Sequence, residues 1–275
     1  MVQISSLQNP RVKAIRRLRM RKYRTIEQRY LIEGPRIVHE ALDRKAPVEA
    51  LLYCPELLQS EHARAMVQSH TEMEHVVLSR GVFEGLSGRD NPQGLAAVVR
   101  FSHVPLKDLV PGPDALILVA WQLQTPGNLG SIIRTADAAG AEAIVIIEPS
   151  VDLYDPLTVR ATMGSLYALP IAMAQGDAEW FAWLERVRCE GVPLRVLGTS
   201  AHGSALIWDT DSRGPLALLI GSEQAGLPDS VRSSADIMTR LPMAGRASSL
   251  NVSAATAAIV FEVLRQRRSA TPPPA

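Results

Sequence analysis

Apolar positions along the chain follow two patterns that alternate from segment to segment. Short runs such as 115–120 (ALILVA) and 143–147 (AIVII) are apolar throughout, which is typical of strands that are buried on both faces of a sheet. Longer segments between them repeat apolar residues every three or four positions, as amphipathic helices do. This alternation predicts an α/β protein with a mostly parallel sheet and helices on both faces.

The first hundred residues predict a small α/β unit. We expect a helix over 11–24 and, at 30–42 (YLIEGPRIVHEAL), a strand that turns into a helix at Pro35. The next expected elements are a strand at 48–55, a helix at 55–70, a strand at 74–79, a short helix at 80–88 and a strand at 94–101. Three prolines and a glycine mark 102–114 (SHVPLKDLVPGPD) as a connection between domains. We therefore place an N-terminal domain at 1–105 and a linker at 106–113.

A second domain is predicted at 114–268. Its expected strands are 115–120, 143–147, 194–198, 216–220 and 236–241. One helix is expected to begin after residue 125, and a short helix is expected to end near Met163. Two further helices are expected at 178–190 and 250–267. The proline-rich residues 269–275 predict a disordered tail.

Three polar loops follow apolar strands of this second domain, at 125–134 (TPGNLGSIIR), 221–228 (GSEQAGLP) and 241–251 (LPMAGRASSLN). The carboxyl ends of parallel strands share one edge of a sheet, so we expect these loops to meet there. Their glycine, serine and asparagine residues allow main-chain groups to face a ligand. The sequence therefore predicts a pocket for a polar cofactor.

Other kinds of site are not supported by the motifs. Leu227 and Pro228 stand where a nucleotide P-loop requires Lys and Ser or Thr. The chain lacks a dinucleotide-binding G-x-G-x-x-G motif and a G-x-S-x-G nucleophile motif, and His202 has no evident catalytic partner. Two isolated cysteines, Cys54 and Cys189, form neither a disulfide framework nor a metal-ligand spacing. No apolar run reaches membrane-spanning length, and we expect a cytoplasmic protein that binds no metal and no membrane.

Charge is distributed unevenly along the chain. Residues 1–26 contain eight bases and no acid, whereas the remainder contains 21 bases and 28 acids. A cationic segment attracts phosphate backbones, so nucleic acid is the expected partner. A solvated helix face and an arginine-rich transit peptide are the alternative interpretations, and the apolar Ile15 and Leu18 favour a packed helix over a transit peptide.

The three loops, taken together, resemble the signature motifs of a known enzyme family. PGNLGSIIRTADAAGA, LLIGSEQAGLP and RLPMAGRASSLNVSAATAAIVFE are similar, in this order, to the three motifs of the SpoU/TrmH family of S-adenosyl-L-methionine (AdoMet)-dependent RNA ribose 2′-O-methyltransferases, in the SPOUT superfamily. NPRVKAIRRLRMRKYRTIEQRYLIEGPRIVHEAL resembles the N-terminal substrate-binding domain of that family, which folds like small ribosomal RNA-binding proteins. The resemblance implies a trefoil knot in the second domain and a homodimer.

The resemblance implies roles for individual residues. It implies catalytic roles at Asn128, Arg134, Glu223, Ser249 and Asn251. It implies that AdoMet is held by Gly198, Thr199, Ile220, Gly221, Leu241, Met243 and Leu250. With the charge pattern it predicts that Arg11, Lys13, Arg16, Arg17, Arg21, Arg24 and Arg160 contact RNA. Our hypothesis is that Arg134 stabilises the developing alkoxide and grips a phosphate, while Asn128 and Glu223 orient it by hydrogen bonds.

The sequence also allows purely structural roles for several of these residues. On these interpretations Glu223 only pairs with Arg134, and Arg160 is a surface residue. Ser249 and Asn251 cap the last helix, a role that is compatible with a cofactor contact. At the level of function, the alternatives are a non-catalytic protein that binds AdoMet and RNA, and a methyltransferase of a base nitrogen. We expect ribosomal RNA as substrate in preference to transfer RNA, because the N-terminal domain resembles ribosomal RNA binders.

Overall fold

The computed structural model describes residues 3–269 and contains two β-sheets. The strands are β1 (Arg29–Glu33), β2 (Val48–Tyr53), β3 (Glu74–Val77), β4 (Leu95–Arg100), β5 (Val104–Pro105), β6 (Leu116–Trp121), β7 (Ala143–Ile147), β8 (Ile171–Ala174), β9 (Arg195–Thr199), β10 (Ala205–Leu206), β11 (Leu216–Ile220) and β12 (Ile237–Arg240). The helices are α1 (Pro10–Arg17), α2 (Arg21–Glu27), α3 (Pro35–Asp43), α4 (Glu61–Ser69), α5 (Arg80–Leu86), α6 (Pro126–Ala138), α7 (Pro156–Thr162), α8 (Asp177–Cys189), α9 (Asp229–Arg232) and α10 (Val252–Ser269).

The chain forms two compact units that do not follow each other simply along the sequence. The first unit contains Met1–Ser102 together with Asp152–Tyr167, and the second contains His103–Val151 together with Ala168–Ala275. The sequence pattern gives no sign that 152–167, which lies between strands of the second unit, belongs with the first.

The first unit is built on a four-stranded sheet in the order β1-β4-β2-β3. Strand β4 is antiparallel to both of its neighbours, and β2 is parallel to β3. Helices α1 and α5 cover one face, where Val12, Leu52, Phe83 and Val98 are buried together. The α/β unit expected from the sequence is thereby confirmed, with its strands close to their predicted positions.

The prediction of a single helix over 11–24 is wrong, because the helix is interrupted between α1 and α2. Met20 has an extended backbone, with φ −100° and ψ 128°. In a continuous helix, the carbonyls of Leu18 and Arg19 would accept hydrogen bonds from main-chain N–H groups four residues later. Instead, the guanidinium of Arg24 donates to both carbonyls, at 2.9 and 2.8 Å. The side chain of Arg24 therefore satisfies acceptors that the interrupted helix leaves open.

Arg24 also holds the segment 152–167 in the first unit. Its Nε and Nη2 atoms donate to Oδ2 of Asp152 at 3.0 and 2.6 Å. The ring of Tyr154 stacks on Phe101 with centroids 3.9 Å apart, and the hydroxyl of Tyr30 donates to that of Tyr167 at 3.0 Å. One buried cation and an aromatic cluster thus attach this segment to the first unit.

The second unit contains an eight-stranded sheet in the order β10-β12-β9-β11-β6-β7-β8-β5. All of its strand pairs are parallel, which confirms the predicted parallel sheet. Every residue of β6, β7 and β11 is buried, as expected of central strands with cover on both faces. Trp180 and Trp183 of α8 pack into the core on one side, and α10 packs against α6.

The segment interpreted as a linker is packed into the second unit. Val104 and Pro105 form β5, which pairs with β8, and Leu106 and Leu109 are 2% and 7% exposed. The indole N–H of Trp183 donates to the carbonyl of Leu109 at 2.9 Å. Prolines here mark an edge strand and its turn, where a missing N–H is tolerated, and not a flexible connection.

The short strands β5, β8 and β10 were not predicted from the sequence. The trefoil knot implied by the resemblance stays a prediction. The predicted disordered tail at 269–275 lies outside the described residues except for Ser269, which ends α10. Within residues 3–269, no helix is long and apolar enough to cross a membrane.

Candidate functional site

A cavity of about 480 Å³ lies at the carboxyl ends of β9, β11 and β12 in the second unit. The loops that follow these strands, together with the start of α10, form its walls. Its lining includes Thr199, His202, Gly221, Glu223, Arg232, Met238, Arg240, Leu241, Met243, Ser249, Leu250 and Asn251. This is the edge at which the three polar loops were expected to meet.

A chain of hydrogen bonds joins all three loops. Asn128 of the first loop donates from Nδ2 to Oε1 of Glu223 in the second, at 2.8 Å. Asn251 of the third loop donates from Nδ2 to Oδ1 of Asn128, at 3.1 Å. Asn128 is 9% exposed, so its amide is held at the centre of this arrangement. Glu223, Asn128 and Asn251 are thus brought together as the sequence predicted.

Glu223 caps the start of α6 from a distant loop. The side chain of Thr125, the residue before the helix, accepts no capping hydrogen bond. Instead, the main-chain N–H groups of Gln124 and Thr125 donate to the carboxylate of Glu223, each at 3.1 Å. A carboxylate at a helix N-terminus is favoured because it accepts from unpaired N–H groups and faces the positive end of the helix dipole.

These hydrogen bonds set the charge state of Glu223. Partial burial acts to raise the pKa of its carboxyl, but hydrogen bonds from the Asn128 side chain and from main-chain N–H groups outweigh it and lower the pKa below the usual value. Glu223 is therefore a carboxylate at neutral pH. An anion that is engaged by three donors is suited to fix a loop and poorly suited to accept a further proton.

Asn251 combines a helix cap with its bond to Asn128. Its Oδ1 atom accepts from the main-chain N–H of Ser253 at 2.9 Å, which caps the first turn of α10. Because the oxygen is used by the helix, the amide nitrogen is left to donate to Asn128. The same side chain therefore makes both the helix cap and the site contact, which are compatible roles.

The second loop folds back tightly on itself. Ser222 and Gly226 exchange main-chain hydrogen bonds of 3.1 and 3.0 Å, and Gly226 has a φ of +66°. A Cβ added at Gly221 would lie 2.4 Å from the carbonyl carbon of Gly226. Only glycine fits at position 221, because any side chain would collide with main chain. The loop therefore presents main-chain groups to the cavity at close range.

The residues expected to hold a cofactor are divided between the cavity wall and the strands behind it. Thr199, Gly221, Leu241, Met243 and Leu250 line the cavity. Gly198 and Ile220 are buried strand residues that precede two of them and do not line it. Met243 and Leu250 are 38% and 47% exposed. A ligand in this cavity would cover some of that apolar surface.

Two of the predicted catalytic residues are not drawn into the hydrogen-bond chain. Arg134 lies on the exposed side of α6 and is not part of the cavity lining. Within residues 3–269 it makes no hydrogen bond to Asn128 or Glu223, so the expectation that those two residues orient it is wrong; Glu223 binds the helix N-terminus instead. Ser249 is exposed at the cavity wall.

The residues expected to contact RNA have different environments. Lys13, Arg16, Arg17, Arg21 and Arg160 are exposed, and Arg11 is paired with Glu74 at 2.5 Å. Arg24 does not belong to this surface: its side chain is 2% exposed and binds Asp152 and two carbonyls. We correct its role from RNA contact to internal anchor of the first unit.

Sequence reasoning overlooked one side of the cavity. Ser200, His202, Arg232 and Arg240 line it and were not assigned to it. A signal was available for His202, because the residues TSAHG follow a predicted strand in the same way as the three polar loops do. Across the described range 3–269, no cluster of three His, Cys, Asp or Glu residues is arranged to hold a metal ion.

Comparison with known protein families gives two matches, which together cover most of the chain. Residues 115–261 match the SpoU rRNA Methylase family. Residues 9–97 match the MRM3-like substrate binding domain.

Individual relatives extend the similarity over nearly the full length. The chain is 35% identical over 257 residues to "23S rRNA (uridine(2479)-2′-O)-methyltransferase" of Streptomyces viridochromogenes, which covers 92% of this chain and 89% of the relative. It is 32% identical over 263 residues to "23S rRNA (guanosine(2553)-2′-O)-methyltransferase RlmP" of Bacillus subtilis, which covers 96% of this chain and 99% of that one. The crystal structure of an AdoMet-bound rRNA methyltransferase from Sinorhizobium meliloti is 35% identical, with a TM-score of 0.85, and covers 96% of this chain and 97% of its own.

Proposed function

Since the chain belongs to the SpoU rRNA methylase family, we propose that it transfers a methyl group from AdoMet to a ribose 2′-hydroxyl of ribosomal RNA. The observation that carries this proposal is the hydrogen-bond chain Glu223–Asn128–Asn251, which joins the three family motifs at the edge of one cavity. The hydrogen-bond chain fixes the starts of α6 and α10 and the loop after β11 beside the cavity, as a preorganised site requires.

Ribosomal RNA is favoured as the substrate by the relatives. Both relatives described above are named for 2′-O-methylation of 23S rRNA, and each is similar to this chain over most of its length. They differ in the nucleotide that their names specify, so the target nucleotide of this chain is not inferred from them. The match of residues 9–97 to the MRM3-like substrate binding domain supports a role for these residues in holding the substrate.

The cavity fits AdoMet in the chemistry of its lining. When bound, AdoMet supplies a methyl group that is carried on a positively charged sulfur. The close main-chain approach at Gly221 and the apolar side chains of Leu241, Met243 and Leu250 suit an adenine ring, which needs flat apolar contacts and main-chain partners. We propose that Gly198 and Ile220 contribute by fixing the strand ends behind Thr199 and Gly221.

Arg134 is our principal catalytic candidate. A ribose 2′-hydroxyl develops negative charge on its oxygen as it becomes a nucleophile, and a guanidinium stabilises such charge by directed hydrogen bonds. A guanidinium stays protonated in proteins, so Arg134 cannot serve as an ordinary base. We propose that Arg134 stabilises the oxygen and holds a neighbouring phosphate, with Ser249 contributing a hydroxyl from the cavity wall.

We further propose that the protein works as a homodimer through α10. Ala254, Ala258 and Phe261 lie at helical spacing on its outer side and are exposed, Phe261 by 49%. Arg134 is outside the cavity of its own chain, and a second copy placed against α10 offers a way to complete the site. The site assembled from two chains explains why the catalytic candidate and the cavity are apart in one.

The basic N-terminal residues are proposed to bind the RNA backbone, and the cytoplasm is the proposed compartment. Lys13, Arg16, Arg17 and Arg21 are exposed cations on two successive helices, where they can neutralise phosphates. Both cysteines, Cys54 and Cys189, are free thiols, as is usual in a reducing compartment.

Methyl transfer from labelled AdoMet to unmodified ribosomal and transfer RNA tests the proposal. The RNA is digested to nucleosides after the reaction, and the product is identified by chromatography and mass. A labelled 2′-O-methylnucleoside from ribosomal RNA is expected. A methylated base would favour the base-nitrogen alternative, and AdoMet binding with no transfer to either RNA would favour a protein that binds without catalysis.

A further inference from the structure

The first unit contains a second cavity, of about 390 Å³, that the methyl-transfer site does not use. Four parts of the chain form it: the stretch between α1 and α2, strand β1 with the start of α3, the end of α5 with the loop after it, and α7 with its flanks. The lining includes Arg19, Leu31, Glu33, Gly34, Arg36, Leu86, Arg89, Leu157, Arg160 and Met163. One wall therefore comes from the segment 152–167, which lies outside the matched substrate binding domain. We call this cavity the arginine cleft.

The arginine cleft carries a concentrated positive charge. Arg19, Arg36, Arg89 and Arg160 line it, and Glu33 is the one acid among the described lining residues. The carboxylate of Glu33 is already engaged, because it accepts from the Ser87 hydroxyl at 2.5 Å and from the Gly88 N–H at 3.0 Å. Four cations around one occupied carboxylate leave an excess of positive charge for a ligand to neutralise.

Three of these cations have no partner in the protein. Within residues 3–269, the side chains of Arg19, Arg36 and Arg160 make no hydrogen bond or ion pair with another group. Elsewhere in the first unit, exposed arginines are commonly paired with an acid on a neighbouring turn or strand, as Arg44 is with Glu40 and Arg80 with Glu84. Three unpaired guanidinium groups that line one cavity point to an anionic ligand.

Arg89 packs against Gly34 and is held by a hydrogen bond to main chain. Gly34 has a φ of +116°, and a Cβ built on it would lie 3.0 Å from Nη2 of Arg89. Nη2 also donates to the carbonyl of Glu33 at 2.6 Å. The guanidinium thus lies against the bare Cα of Gly34, at the turn between β1 and α3. A fixed, flat guanidinium at the cleft is arranged to stack on a planar group or to bind a phosphate.

Apolar surface lies beside these charges. Leu157 and Met163 of the inserted segment are 61% and 36% exposed, and both line the cleft together with Leu31 and Leu86. A single-stranded nucleotide combines the two complementary features, a phosphate and a flat apolar base. Double-stranded RNA hides its base faces and would leave the apolar part of the cleft uncovered.

We propose that the arginine cleft binds one unpaired nucleotide of the RNA substrate, with its phosphate on the arginines and its base against Leu157 and Met163. The inference rests on the proposed function in one respect, that RNA is the substrate. Its walls come from the matched substrate binding domain and from the segment 152–167.

The salt dependence of RNA binding tests the cleft, with the double variant Arg36→Ala/Arg160→Ala in the full-length protein. The probes are a fluorescein-labelled single-stranded uridine dodecamer and a duplex of the same length. For the single strand, each lost phosphate contact reduces the slope of log K against log salt by about 0.7, so the slope should fall by up to about 1.4 in magnitude. The matched control is Arg44→Ala/Arg80→Ala, which removes the same charge from the same unit outside the cleft and should leave the slope unchanged.

Each outcome separates the cleft from the proposed function. With the single-stranded probe, a slope of smaller magnitude for the cleft variant than for the control variant supports the cleft. An unchanged slope in a cleft variant that has the wild-type urea midpoint overturns it. An equal change for the duplex overturns the assignment to an unpaired nucleotide. Methyl transfer by the wild-type protein is measured in parallel with an unmodified 23S rRNA transcript. Failure of that transfer counts against the proposed function, and it leaves the binding result on the cleft standing.

Discussion

The side-chain amide of Asn251 donates a hydrogen bond of 3.1 Å to the side-chain oxygen of Asn128. On its other side, Asn128 donates to Glu223, so both polar atoms of its amide have a partner and its orientation is fixed. The starts of α6 and α10 are thereby tied to the loop after β11. Changes in any of these three residues are expected to affect the other two.

Glu223→Gln is expected to lower the free energy of unfolding by about 1–2 kcal/mol. The carboxylate accepts from two main-chain N–H groups and from Asn128. Glutamine offers only one oxygen and places an amide donor against an N–H group. Urea unfolding of the two proteins measures the difference, and equal midpoints would show that the cap contributes nothing.

The stability difference between wild type and Glu223→Gln should depend on pH. The folded pKa of Glu223 is lowered relative to the ordinary carboxyl value of 4.5. A group of this kind stabilises the fold fully above its unfolded pKa and loses that contribution as the pH falls through the folded value. The difference should be constant between about pH 5 and 8 and shrink below about pH 4.5. A difference that grows on acidification would contradict the lowered pKa.

Gly221→Ala is expected to weaken AdoMet binding by at least about tenfold, or about 1.4 kcal/mol. The new Cβ would lie 2.4 Å from main-chain carbon of Gly226, so the loop must move. Isothermal titration with AdoMet measures the effect. Gly81→Ala in α5 is the control, because nothing lies within 4 Å of a Cβ there, and it should bind AdoMet as wild type does.

Arg134→Ala should reduce the rate of methyl transfer by about 10²–10³ or more, with AdoMet affinity unchanged. Arg134 is outside the cavity lining, so its loss should leave the cofactor contacts intact. Arg134→Lys should not restore the rate, since an ammonium cannot reproduce the planar fork of donors. Single-turnover kinetics and AdoMet titration of each variant separate the two effects. A parallel loss of AdoMet binding would assign Arg134 a structural role.

The main elements could be predicted because their patterns are local. The continuous apolar runs at 116–121 and 143–147 are strands in a parallel sheet, and two of the three polar loops, at 221–228 and 241–251, do line one cavity. Asn128, Glu223 and Asn251 could be grouped through a resemblance to known motifs. Their mutual hydrogen bonds could not, because these join residues about a hundred positions apart.

The errors arise where a distant partner decides the local structure. Residues 11–24 have the composition of one helix, yet the break at Met20 is accompanied by an arginine that binds Asp152, 128 residues away. The charge of Arg24 suggested RNA, and only its burial shows otherwise. Similarly, the prolines of 102–114 suggested a linker, while Leu106 and Leu109 are core residues. No pattern within either segment contains that information.

Arg24→Ala is expected to cost about 3–5 kcal/mol of stability. It would leave the carboxylate of Asp152 and the carbonyls of Leu18 and Arg19 without their donor, in a place where Arg24 is 2% exposed. Urea unfolding measures the loss. Lys22→Ala, an exposed change of the same charge in the same helix, should stay within about 0.5 kcal/mol of wild type. Similar midpoints for both variants would contradict the internal role of Arg24.

Phe261→Glu tests the proposed dimer. Phe261 is 49% exposed on the outer side of α10, beside the small residues Ala254 and Ala258. A carboxylate buried in a helix interface is unfavourable, so the molar mass from light scattering should fall to half the wild-type value. Ile26→Glu, which replaces an exposed apolar residue of the first unit, should leave the mass unchanged. A monomeric wild-type protein would remove the basis of the proposal.

The inclusion of residues 152–167 in the first unit has a consequence for how such genes recombine. A single crossover near residue 103 between two relatives would supply α7 from one parent and the sheet against which it packs from the other. Residues 24 and 152, which form an ion pair here, would then come from different parents. Chimeras that retain function should therefore carry two crossovers, so that the short internal segment travels with the N-terminal domain.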